Sequence, residues 1–68
     1  MKPHQLRVII EKAELDLKIL ALSDFILNAP IFQGLPEDER QRLLLQNATM
    51  AQYSRILGER IAAFGVTA

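Results

Sequence analysis

From His4 to Leu27 the chain carries neither glycine nor proline, and its apolar residues fall on two opposite sides of a helical wheel. At about 100° per residue, Leu6, Ile9, Ile10, Ala13, Leu17, Leu20 and Leu27 form one stripe. Val8, Leu15, Ile19, Leu22 and Ile26 form a second on nearly the opposite side. Two narrow polar strips separate them, Arg7, Glu11, Glu14 and Lys18 along one edge and Gln5, Lys12, Asp16 and Ser23 along the other. A surface helix of a globular protein has one apolar face. A helix with two must be covered twice, once by its neighbour in the chain and once by something else.

The neighbour is a second helix. Pro3 suits the first turn of helix 1, where a missing N–H costs nothing, and Asn28 with Pro30 ends it, so that helix is expected over about residues 3–28. Pro36 opens helix 2, followed by Glu37, Asp38 and Glu39 where the helix dipole favours negative charge. Gly65 is the expected stop, which gives helix 2 a span of about 36–64. The connection, residues 29–35, is too apolar for a free loop, and its Ile31, Phe32 and Leu35 are expected to fold back over the closed end. In helix 2, Leu43, Met50, Leu57 and Phe64 recur every seven residues with Tyr53 and Ile61 between them. That spacing reads as a coiled-coil-like oligomer seam of Leu43, Gln46, Met50, Leu57, Ile61 and Phe64. Gln46 on such a seam would pair with its own copy and fix register, or line a ligand cavity.

Sixty-eight residues make a single domain, 1–68, at the edge of independent stability. Chains this small are held together by disulfides, metals or oligomerisation. There is no cysteine and one histidine, His4, which excludes disulfides, thiolate sites and a histidine-rich metal site and leaves oligomerisation. The expected fold class is therefore all-α: a two-helix antiparallel hairpin self-associating into a helical bundle, most simply a dimer of four helices.

The formal net charge is +0, balanced in each half, which lacks the basic excess of a duplex nucleic-acid binder. Helix-turn-helix DNA reading also fits poorly, because the connection is long and apolar. The N-terminus lacks the features of a signal peptide, and the apolar stretch from Ile19 to Phe32 is too short to span a bilayer and contains Asp24 and Pro30. A cytoplasmic location and no membrane partner are expected.

Catalysis finds no support. Ser23, Ser54, Thr49 and Thr67 have only His4 as an imidazole base, with no motif joining them. No glycine-rich phosphate loop occurs, so no cofactor and no enzymatic activity are expected. One arrangement suits an anion. An antiparallel hairpin brings Lys2, His4 and Arg7 towards Arg55 and Arg60, with Tyr53 about two turns earlier. The start of helix 1 would add unpaired N–H groups, and an oligomer would multiply the charge at a junction. Lys2, His4, Arg7, Tyr53 and Arg60 are thus the candidate ligand-binding residues; the alternative is a solvated mixed-charge rim that includes Glu11 and Glu59.

The pattern Pro3-His4-Gln5-x-Arg7-Val8, Glu11-Lys12-x-Glu14-Leu15-Asp16 and Phe25-Ile26 continues into Phe32-x-x-Leu35-Pro36 and Glu39-Arg40. It ends with Gln46, Met50, Tyr53, Ile56-Leu57 and Arg60-Ile61, and so covers nearly the whole chain. It resembles small helical-hairpin accessory proteins of tailed phages and prophages, most without an assigned function. The resemblance implies stoichiometric action in the host cytoplasm. In architecture alone the chain is similar to oligomeric helical sponges that sequester cyclic-nucleotide immune signals. Three roles follow: an anti-defence protein sequestering a small nucleotide-type signal, an inhibitor or adaptor binding a host protein through an apolar helix face, and a structural phage component.

Overall fold

The computed structural model describes residues 1–67, with side-chain surroundings through Gly65. Among them the chain forms three helices and no strand: α1 (Pro3–Asn28), α2 (Pro30–Gly34) and α3 (Glu37–Thr67). Each proline marks a helix start. Pro3 and Pro30 occupy the first turns of α1 and α2, and the Pro36 carbonyl accepts from the Arg40 N–H at the entry to α3. The side chain of Gln5 reaches back to accept from the Lys2 N–H at 3.1 Å, which closes the start of α1. Arg42 binds Glu39 at 2.9 Å and Asp38 at 3.3 Å, anchoring the acidic first turn of α3.

Three local expectations change. The connection is not an irregular plug: Pro30–Gly34 winds into α2, with the Phe32 N–H donating to the Ala29 carbonyl and the Leu35 N–H to the Phe32 carbonyl. Phe32 is buried there and meets Phe25 edge-on, with ring centroids 6.0 Å apart. Ile31, expected to fold back over the closed end, is 69% exposed, whereas Asn28 ends α1 as expected, its amide donating to Asp24 at 2.7 Å within the last turn. Gly65 does not stop α3, since no glycine takes the positive φ a helix-ending turn requires. Ala68 lies outside the described residues.

α1 and α3 lie side by side in a rod of 50 × 15 × 15 Å. Val8, Leu15 and Leu57 form its core, with Ile19, Met50, Ile61 and Phe64 packed around them. The less exposed positions step by three and four along both helices, through Val8, Lys12, Leu15, Ile19, Leu22 and Ile26 on α1. On α3 they run through Leu43, Asn47, Met50, Ser54, Leu57, Ile61 and Phe64. This is the coiled-coil period. The stripe expected to face another subunit is therefore, in the single chain, the inner face of the hairpin, and Leu57 is 0% exposed there. Gln46, included in that stripe, is exposed.

Polar contacts interrupt the apolar seam. The buried Ser54 hydroxyl donates to the Asp16 carboxylate at 2.5 Å, and Lys12 binds the other carboxylate oxygen at 2.7 Å. Ser23 and Asn47 share a hydrogen bond across the helices. At Gly58 an added Cβ would stand 3.3 Å from Lys12 Cε, so the missing side chain leaves room for the end of the Lys12 side chain.

Two outcomes follow. Leu57→Asp should abolish the cooperative thermal melt followed by circular dichroism, because it places an unpaired charge in the core; the exposed Leu45→Asp should keep the melt. Hydrogen bonds from Lys12 and then Ser54 hold the Asp16 carboxyl below its ordinary pKa. Its contribution is therefore complete above the unfolded pKa and is lost as pH falls through the lowered folded value. Melting temperature should fall on acidification more steeply in the native chain than in Asp16→Asn.

Candidate functional site

Three cross-helix contacts set the register. Lys12 meets Gly58, Asp16 meets Ser54 and Ser23 meets Asn47, so residue i of α1 stands across from residue 70 − i of α3. By this rule Arg7 is level with Ala63, Ile10 with Arg60 and Leu17 with Tyr53. Arg7 and Arg60 are then offset by about 4.5 Å along the rod, and Tyr53 lies about 15 Å from the level of Arg7.

The same contacts separate two flanks. Asp16, Ser23 and Gly58 lie on one. Residues at the opposite edge of the seam are His4, Glu11, Lys18 and Phe25 on α1 and Gln46, Tyr53 and Arg60 on α3, each series spaced by seven. Arg7 stands one turn before Glu11 on the same side. Four of the five candidate residues, His4, Arg7, Tyr53 and Arg60, are thus gathered along one flank, and all four are exposed. Lys2, also exposed, precedes α1 at its N-cap.

The register adds Lys18, one residue from the level of Tyr53. On the sequence alone Lys18 read as the partner of Glu14 on a polar strip, and only the pairing of the helices shows what it stands beside. Arg55 does not join this group; it faces Glu59 at 3.9 Å. Among the described residues, ion pairs are confined to Lys12–Asp16, Arg42 with Asp38 and Glu39, and Arg55–Glu59, so none engages Lys2, Arg7, Lys18 or Arg60. Glu11 and Glu14 interleave with these cations and limit the local excess of charge.

The helix N-terminus offers less than expected. Pro3 has no N–H, and the Gln5 and Leu6 N–H groups both donate to the Lys2 carbonyl. His4 alone supplies a first-turn N–H that those contacts leave open. The donors that this flank offers are therefore side chains: two guanidinium forks, two amines, an imidazole and a phenol ring.

The opposite side of α1 has another character. Leu6, Ile10, Leu17, Leu20 and Leu27 are exposed by between 47% for Ile10 and 79% for Leu27. This is the first of the two stripes on the wheel, and the hairpin leaves it uncovered. Among the described residues, no group of three or more metal-binding side chains occurs, and no helix is long and apolar enough to cross a membrane.

The model of one protein family, described as Sequestin, matches residues 2–63. No curated protein and no solved structure matches the chain.

Proposed function

The chain belongs to the Sequestin family, and from that premise we propose that it acts by stoichiometric capture of a small anionic, nucleotide-type molecule, without turning it over. The family name is consistent with sequestration and names no ligand. The observation that carries the reading is the single flank that holds His4, Arg7 and Arg60 towards one end and Lys18 beside the level of Tyr53 about 15 Å further along the rod. Guanidinium groups grip phosphate oxygens through paired donors, and a tyrosine ring offers a face to a base. A hydrogen bond to a charged group contributes roughly 1.5–3 kcal/mol, and micromolar affinity requires about 8 kcal/mol net. Several such contacts together reach that range when ordering costs are small, which side chains mounted on two packed helices favour.

In its full form the reading is of a phage-encoded anti-defence protein in the host cytoplasm, working as a homo-oligomer on a nucleotide signal. The phage resemblance supports the setting, and the uncovered apolar stripe supports self-association. That same stripe supports one other reading, an inhibitor or adaptor that docks on a host protein.

Titration calorimetry against cyclic di- and trinucleotides, cyclic ADP-ribose isomers and inorganic phosphate tests the ligand. Heat of binding from one of the nucleotides is expected, with Arg7→Ala and Arg60→Ala each weakening it about tenfold, or about 1.4 kcal/mol. Silence from every ligand, or affinity indifferent to both arginines, would sink the proposal. After prolonged incubation and heat denaturation of the protein, the bound nucleotide should be recovered chemically unchanged. A product whose formation disappears in a point variant would establish turnover instead.

A further inference from the structure

We infer that a second copy of this chain covers the exposed stripe, with α1 of each copy packed antiparallel against α1 of the other. This deepens the self-association in the reading above and does not depend on the ligand. Within α1 the exposed positions Leu6, Ile10, Ala13, Leu17, Leu20, Asp24 and Leu27 step alternately by four and three, the period of the inner seam. The face is therefore built to receive another helix along its length.

Surface area gives the scale of what a partner could cover. A folded monomer of this mass, 7.7 kDa, is expected to expose about 4,300 Å². This chain exposes 5126 Å². The excess, about 800 Å², comes with the elongated 50 × 15 × 15 Å shape, and a side of that rod can therefore supply the area that one partner contributes to an interface of standard size.

The pattern also selects the occupant and its direction. A two-fold axis between Lys18 and Ile19 lays the stripe on itself. Leu17 then meets Leu20 of the second copy, and Ile10 meets Leu27. The only charged residue of the stripe, Asp24, meets its smallest, Ala13. Large side chains face large ones, and the carboxylate faces the position with most room to stay hydrated. A parallel pairing in register would set Asp24 against Asp24 and bring Lys2, His4 and Arg7 beside their own copies, which like-charge repulsion opposes. An isologous antiparallel contact avoids both. It also differs from a junction that pools all the basic residues: Lys2, His4 and Arg7 of each copy would stand beside the other copy's turn, and only the two Lys18 residues come level at the axis.

Sedimentation equilibrium of the native chain at micromolar concentration should give twice the chain mass. Because the sequence has no cysteine, cross-linking can read the direction. Ile10→Cys and Leu27→Cys are prepared separately and oxidised alone or after mixing. A disulfide dimer is expected from the mixture and from neither variant alone, since in this arrangement like positions are about 25 Å apart along the axis. A monomer mass for the native chain, disulfide dimers from each variant alone, or a dimer mass with no cross-link in the mixture would each overturn the inference. Calorimetry with nucleotides reads the ligand separately, so failure of one reading leaves the other measurable.

Discussion

A hairpin of two helices can cover only one side of each. Everything distinctive about this chain follows from that limit. The packing of Leu57 between Val8 and Leu15, extended by Met50, Ile61 and Phe64, uses the whole apolar capacity of α3 on its inner side. α1 has a second stripe of comparable length, and among the described residues no third long element lies on it. A rod 50 Å long and 15 Å wide also has an unfavourable ratio of surface to core, so its stability rests on few side chains.

Few side chains must then fix the register as well. Apolar contacts at three-four spacing are tolerant of a slip by one heptad, because Leu and Ile occupy equivalent positions along the seam. Ser54 donating to Asp16, and Ser23 pairing with Asn47, remove that tolerance: a slip would strand a buried hydroxyl without its acceptor. Gly58 adds to this, since a Cβ there would crowd the end of the Lys12 side chain that packs beside it. These contacts in turn set which residues meet on the far flank. The alignment of Arg60 near Arg7, and of Lys18 near Tyr53, is a consequence of polar pairs on the other side of the rod.

The helices, the apolar character of both stripes on α1 and the closed-end role of Phe32 were legible in the sequence, because each depends on local period or on proline placement. The identity of the surface facing each stripe was not. Leu43, Met50, Leu57 and Phe64 at intervals of seven announce a helical partner, but the period is the same whether that partner is α1 or another subunit. The outcome was decided by competition: a helix tethered by a short connection reaches the seam before a free one does. Gln46 was misplaced for a related reason, since a residue one step from the seam moves to its edge once the true centre is known. Lys18 was missed because its neighbour Tyr53 is distant in sequence, and only the rule pairing residue i with 70 − i joins them. α2 went unread because five residues carry too little periodicity to distinguish a helical turn from an apolar loop.

The two flanks divide what the chain can do. If a second copy takes the apolar side of α1, the cationic side stays open to solvent, because the two lie on different faces of the same helix. In the antiparallel arrangement the two Lys18 levels lie about 1.5 Å apart at the two-fold axis, while Arg7 of one copy is level with residue 30 of the other, which separates the two Arg7 ends by about 35 Å. That is several Debye lengths at physiological salt. Charge at one Arg7 end then has little effect on the other, so assembly does not penalise these ends. A dimer of chains that each carry net charge +0 would thereby keep its two Arg7 ends apart and bring only the Lys18 pair together, beside the acidic residues that interleave with it.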